Sequence, residues 1–425
     1  MAGEMFVIMA ICLLLGIPVA YSIGISSTFY LVFFANMSGS IVVQRLVDGI
    51  NSFSFLALPL FILSGAIMVY GSTPRLMRLA NLLLGKLPGG LGAAGCLGCA
   101  FFGAISGSAV ATTASIGAIV APEMVKQGYQ KGFTASLIAA AGTLGIVIPP
   151  SVCMVVYAQS AGVSIGSLFL AGFIPGFLAA GLLGVLSVVI AKKRQYKGEA
   201  IAAHSVKEIL MIVIDALLPM LMPVIILGGT LSGIVTATES ATLAVVYALI
   251  LAKFVYKELS WKDIGRVFGE SAKGSAAILF IIAAATPFGW ALTLKNVTAS
   301  VSNAILSSLN SPVLIYLAIV GILVILGTFM ESFTIIILTT PIFVPIISSI
   351  GVDLISYGVV MIFCICIGAC TPPLAVCLFT TCRILKIRIE ETIPDVFMVI
   401  GILLFVALTC VFVPQVCLFL PTLLA

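Results

Sequence analysis

Residues 145–150 read Gly-Ile-Val-Ile-Pro-Pro and residues 368–373 read Gly-Ala-Cys-Thr-Pro-Pro. Each proline pair falls inside an apolar run, 132–158 in the first case and 355–382 in the second, and each run is long enough to cross a bilayer. Proline has no amide to donate, so two in succession prevent regular helix at that point. The residue before each pair, Ile148 or Thr371, is also pushed out of the α region. Carbonyls freed at such a break need partners, and lipid supplies none. A dehydrated cation is one suitable partner, and broken helices that coordinate sodium at mid-membrane are a recurring solution.

Working outward, two further apolar stretches, 90–122 and 312–348, are interrupted at their centres by Gly103-Ala-Ile-Ser-Gly-Ser108 and Gly327-Thr-Phe-Met-Glu-Ser332. With each half about 14–16 residues, short for a full crossing, both read as re-entrant hairpins. The two pairs of features recur at a nearly constant shift: Gly145 to Gly368 is 223 residues and Gly103 to Gly327 is 224. The spans 53–71, 132–158 and 165–190 have counterparts at 272–294, 355–382 and 394–415. An odd number of crossings separates the members of each pair, so the halves form an inverted-topology repeat, a signature of secondary transporters.

The remaining composition agrees. Of 425 residues, 62% are hydrophobic and 8% charged, and the mean hydropathy is +1.31; soluble domains carry roughly 25% charged residues. The net charge of +5 comes from 20 basic and 15 acidic residues scattered between apolar runs, not from the basic face that nucleic-acid binding needs. His204 is the single histidine and reads as a solvated connector residue, which removes the histidine-rich zinc sites of hydrolases. The chain carries no Walker or Rossmann glycine loop, against ATP hydrolysis and dinucleotide binding. Cys96 and Cys99 form a C-x-x-C that reads as small residues for close helix packing. The first residues lack the basic region of a cleavable signal.

Further spans are expected at 5–21, 22–36, 208–228 and 231–252, giving an all-α polytopic protein of about 10–11 transmembrane helices plus two re-entrant hairpins. With both termini periplasmic, 18 of the 20 basic residues fall in cytoplasmic connectors and Arg45 and Lys295 lie outside, as the positive-inside rule requires. Stretches 39–50, 73–86 and 258–270 mix charges with apolar residues at helical spacing and suit either helices lying along the interface or ordinary capped loop helices. The organisation reads as N-terminal scaffold helices (1–52), a first repeat with its hairpin (53–200), central scaffold helices (201–271) and a second repeat with its hairpin (272–425).

The hairpin tips add hydroxyls (Ser106, Ser108, Ser332) as hard oxygen ligands, and the amides that open each return helix suit an anionic carboxylate. Intramembrane acids are functional candidates. Glu331 lies in the second tip, with a role at the site or in gating set against a structural one. Glu239 suits packing or subunit contact, Asp215 an interhelical hydrogen bond, and Glu123 a solvated helix end.

The motifs AFFGAISGSAVATTASIGAIVAPEM, GTLGIVIPPS, GIVTATESATLAVVYA, GTFMESFTIIILTTPIFVPI and IGACTPPLAV resemble the large membrane (M) subunit of tripartite ATP-independent periplasmic (TRAP) transporters. The likeness runs from about residue 5 to 415. It implies sodium-driven uptake of an organic acid, sialic acid or a four-carbon dicarboxylate, across the bacterial inner membrane. Two partner chains are implied, a periplasmic substrate-binding protein (P) and a small four-helix membrane subunit (Q). The implied fold resembles divalent-anion/sodium symporters, in which a transport domain slides as an elevator against a scaffold. It also implies two Na+ sites and no organic cofactor. One site would use Ser106, Gly107 and Ser108 with the break from Gly145 through Ile148 to Pro149. The other would use Gly327, Thr328, Met330 and Ser332 with Gly368 to Thr371, and Met330 would give only its carbonyl. Ser108, Pro150, Glu331 and Pro373 are the expected substrate contacts. A stand-alone dicarboxylate or citrate symporter and a channel are the rival transporters. A membrane-embedded enzyme is disfavoured, since the spans hold no paired aspartates and no Ser/His pair.

Overall fold

The computed structural model describes residues 3–196, 205–294 and 311–424; His204, Lys197 and Lys295 lie outside them. Among the described residues the fold is all helix, and eight segments are long and apolar enough to cross a membrane. In chain order the α-helices are α1 (Gly3–Leu14), α2 (Val19–Phe29), α3 (Gly39–Asp48), α4 (Ala57–Leu84), α5 (Gly90–Ser106), α6 (Ala109–Lys126), α7 (Lys131–Thr143), α8 (Val152–Ala161) and α9 (Ile165–Arg194). There follow α10 (Val206–Leu231), α11 (Ala237–Ile250), α12 (Trp261–Leu294), α13 (Pro312–Phe329), α14 (Ser332–Ser349), α15 (Leu354–Cys370), α16 (Val376–Leu385), α17 (Asp395–Phe412) and α18 (Gln415–Leu424).

Both runs containing a proline pair are interrupted as their sequence requires. The first run ends α7 at Thr143, passes through one 3-10 turn (Leu144–Ile146), and restarts at α8 behind the cap residue Ser151. The second ends α15 at Cys370, with Thr371 extended at φ −103°, and restarts at α16. Both Pro-Pro peptide bonds are cis. Both hairpins are also present: α5 and α6 turn at Gly107, whose φ of +62° is one that glycine adopts without a Cβ penalty, and α13 and α14 turn through Met330 and Glu331.

The two halves interlock reciprocally. The outgoing helices pack within their own half, α5 on α7 and α13 on α15. The return helices also reach the other half: α6 packs on α7 and on α16, and α14 packs on α8. Buried Tyr157 of α8 donates from Oη to the Leu354 carbonyl at the start of α15, at 2.7 Å, and at one end Arg194 of α9 pairs with buried Asp395 of α17. Against this bundle lie α4, which packs on α5 and α11, and α12, which packs on α2, α3 and α4.

Several expectations need correcting. The hairpin helices run 17, 18, 18 and 18 residues, not 14–16, because α5 and α13 continue into the tip motifs, to Ser106 and Phe329, and α6 runs on to Lys126. Residues 258–270 do not form a separate interfacial helix; Trp261 opens the 34-residue α12, whose charged first turns hide its continuity in a hydropathy reading. By contrast, the separate helix expected over 73–86 is present: the chain breaks at Tyr70 and Gly71, where Gly71 has φ +87°, and resumes as a distinct helical segment that ends at Leu84. The first expected span, 5–21, is interrupted at Gly16–Pro18 and the chain restarts as α2 at Val19. A helix not expected, α18, follows Pro414.

Candidate functional site

Each tip nests against the break of its own half through glycines that hold equivalent positions in the two repeats, Gly103 on Gly145 and Gly327 on Gly368. A methyl group on Gly103 would lie 2.8 Å from the Gly145 Cα, and one on Gly368 would lie 2.3 Å from the Gly327 carbonyl. No side chain larger than hydrogen fits at these approaches without backbone movement, so the glycines are what let tip and break meet.

At the first junction Ser106 is 5% exposed and residues 143–153 are buried throughout. The Ser106 Oγ stands 2.8 Å from Thr112 Oγ1 and 3.4 Å from the Ser108 carbonyl. Gly145 faces the same group: a Cβ there would sit 2.5 Å from Thr112 Oγ1 and 2.7 Å from the Ser108 carbonyl. Gly107 lies against the Pro150 carbonyl and accepts the Val152 N–H at 3.5 Å. Ser151 donates from Oγ to the Ile146 carbonyl at 2.7 Å, closing the interrupted turn. The structure thus gathers Ser106, Gly107, Ser108, Gly145 and Pro150. Ile148 and Pro149 belong to the same buried break, but the Ile148 side chain packs outward against Gly176 of α9.

The second junction is sparser. Gly327 meets Gly368, and the Thr328 carbonyl accepts the Leu374 N–H at 3.0 Å. The Thr328 and Thr371 hydroxyls turn back onto their own helices, to the Ile325 and Ile367 carbonyls. Pro372, Pro373 and Leu374 are exposed. Met330 packs partly into the core, while Glu331 and Ser332 point away from this break.

They point instead into a cavity of 280 Å³ that both tips share. Ser106, Gly107 and Ser108 line one side of it, and Glu331, Ser332 and Phe333 the other. Ile62, Gly65 and Ala66 of α4 and Gly274 and Ile278 of α12 close it. The starts of α6, α8 and α14 border it. Ser108 caps α6 by accepting the Ala111 N–H at 3.4 Å, and Glu331 caps α14, its Oε2 accepting the Phe333 N–H at 3.1 Å. Of the expected substrate contacts, Ser108 and Glu331 line this cavity and Pro150 and Pro373 do not.

Sequence reasoning missed Thr112, Ser151 and Gly65. Thr112 lies one helical turn beyond Ser108, a spacing that places it over the tip and could have singled it out. Ser151 was legible as a helix cap after the proline pair. Gly65, where a Cβ would fall 2.7 Å from the Ser106 carbonyl, carries no local signal. The other acids are structural: Glu239 completes a capping box with Thr236, Glu123 pairs with Lys126 at 2.8 Å, and at Asp215 the main-chain carbonyl, not the carboxylate, accepts from Tyr256 Oη. Cys96 and Cys99 are fully buried in α5.

Comparison with known proteins agrees with this architecture. Residues 6–416 match the family described as the tripartite ATP-independent periplasmic transporter, DctM component. The isethionate TRAP transporter permease protein DctMQ of Oleidesulfovibrio alaskensis is 38% identical over 411 residues, which are 96% of this chain and 65% of that protein; the chain thus spans just under two thirds of that relative. The C4-dicarboxylate TRAP transporter large permease protein DctM of Pseudomonas aeruginosa is 37% identical, over 94% of this chain and 93% of its own. The sialic acid TRAP transporter large permease protein SiaM of Vibrio cholerae is 33% identical, over 96% and 95%. The crystal structure of the Alcanivorax borkumensis YdaH transporter shares the fold at a TM-score of 0.56 and 15% identity, covering 89% of this chain and 86% of that one. A multi-pass helical chain with interlocked hairpins, matched over nearly its full length, therefore belongs to the DctM family, the large permease subunit of tripartite ATP-independent periplasmic transporters.

Proposed function

We propose that this chain is the permease of a sodium-coupled uptake system for an organic acid, delivered by a periplasmic binding protein and shared with a small membrane subunit in the inner membrane. The observation that carries the reading is that both hairpin tips, the first together with its break, border one cavity between α4, α12 and the interlocked bundle. At the first junction the donors are hydroxyl and carbonyl oxygens, all neutral and hard, a set that suits Na+. Among the described residues no group of three or more His, Cys, Asp or Glu is placed to hold a metal. The second junction offers the Gly327, Thr328 and Gly368 backbone. The start of α6, capped by neutral Ser108, presents amides and a positive dipole end to a carboxylate.

The cavity is walled on one side by α4 and α12 and on the other by the hairpins and breaks. Sliding of the hairpin bundle against α4 and α12 would carry both junctions and the bound acid together, which is the elevator form of alternating access. The close approach of Gly65 to the Ser106 carbonyl permits such sliding, since no side chain intervenes. The drive is adequate. One charge crossing ~100 mV yields about 2.3 kcal/mol and a tenfold gradient about 1.4 kcal/mol per ion. Two Na+ with a monoanion therefore supply roughly 5 kcal/mol, enough for several thousandfold accumulation.

The relatives' names include isethionate, C4-dicarboxylates, 2,3-diketo-L-gulonate and sialic acid, which supports an organic acid as the substrate class, with specificity set largely by the binding protein. The test is uptake into proteoliposomes holding this chain, the small subunit and loaded binding protein. Uptake is expected only with an inward sodium gradient. Uptake indifferent to sodium would reject the coupling, and transport by this chain alone would favour a stand-alone symporter.

A further inference from the structure

The cavity between the tips has an uneven charge. Its lining contains the hydroxyls of Ser106, Ser108 and Ser332, apolar side chains and backbone, and one carboxylate, Glu331; it contains no basic side chain. An organic anion held there finds no side chain of opposite charge and relies on backbone amides. Those at the start of α6 are offered beside a neutral cap, Ser108. Those at the start of α14 are already engaged by an anion, because Glu331 Oε2 accepts the Phe333 N–H at 3.1 Å. One end of a bound acid therefore meets a positive dipole end and the other meets the Glu331 carboxylate. Between low-dielectric walls, like charges repel far more strongly than they do in water.

Resting on the uptake reading above, we infer that Glu331 is a charge filter. The cavity takes an acid through one carboxylate set at the first tip, and Glu331 admits at the other end only a neutral or hydrogen-bond-donating group. Monoanions pass and dianions are turned away. Selection here works by repulsion of the wrong ligand, one of the two routes by which sites discriminate, and Glu331 is a specificity-determining residue.

The experiment uses the full-length chain with its small subunit in lipid nanodiscs. It measures sodium-dependent thermal stabilisation by two probes of equal length: succinate, a dianion at neutral pH, and succinamate, its singly charged monoamide. The wild type is expected to respond to succinamate at about tenfold lower concentration than to succinate, given the cost of like-charge contact. Glu331→Gln keeps an oxygen to accept the Phe333 N–H and is expected to bring the probes within about twofold of each other. Glu331→Asp keeps the charge and is expected to retain the preference. Equal responses in the wild type, or a preference unchanged by Glu331→Gln, would overturn the filter while leaving sodium-coupled uptake standing. Silence of both probes in all three proteins would also overturn it, and the proteoliposome assay would then decide the uptake reading separately.

Discussion

The two tip–break junctions are built on one backbone plan and finished differently. In each, a tip glycine meets the first glycine of a Gly-x-x-x-Pro-Pro break, Gly103 on Gly145 and Gly327 on Gly368. The first is buried, with Ser106, Thr112 and the Ser108 carbonyl converging. The second lies beside an exposed proline pair, and its threonine hydroxyls are spent on their own helices. The first return helix is capped by a neutral serine and the second by a glutamate. The difference teaches that a repeat conserves geometry while its side chains divide the labour: an enclosed oxygen cradle on one side, an open and charged lip on the other.

Substitutions test that division, beginning with the most disruptive. Gly103→Ala sets a Cβ 2.8 Å from the Gly145 Cα and 3.1 Å from its amide nitrogen in a buried site, and overpacking of this kind costs about 1–3 kcal/mol. Gly327→Ala meets its nearest atoms at 3.2 Å beside an exposed lip and is expected to cost under about 1 kcal/mol; thermal unfolding of the two variants should separate them, and equal losses would erase the asymmetry. Next, Ser106→Ala removes the hydroxyl at the centre of the first cradle. It is expected to raise the sodium concentration for half-maximal uptake about tenfold, the scale of a lost contact to a charged group. Tyr157→Phe deletes the 2.7 Å bond to the Leu354 carbonyl that ties the halves together. It should lower thermal stability by about 0.5–1 kcal/mol without altering sodium dependence. The smallest effect is expected at Ser332→Ala on the open lip, a two- to threefold rise or so in the sodium requirement. A larger effect there than at Ser106 would reverse the assignment of the enclosed cradle.

Much of this was legible in the chain because proline and glycine act locally. A proline pair interrupts any helix it enters, and a glycine turn inside an apolar run makes a hairpin, so breaks, tips and their pairing followed from spacing alone. Continuity was not legible: charges between Lys262 and Lys273 lower the hydropathy of a segment that runs unbroken into α12, since hydropathy reports membrane depth and not helix continuity. The reach of the return helices into the other half, α6 onto α16 and α14 onto α8, has no local signature, because such packing depends on side chains distant in sequence. The shared cavity follows from that reach, which is why the second junction was expected to gather Met330 and Ser332 and does not.

The central claim is that the two junctions each hold a sodium ion. Equilibrium binding of radioactive sodium to the purified full-length chain with its small subunit tests it most directly. The account predicts saturable binding of two ions per chain in the wild type, falling to one in Ser106→Ala at sodium concentrations that saturate the wild type. Absence of saturable binding, or a stoichiometry that Ser106→Ala leaves unchanged at every concentration, would contradict it.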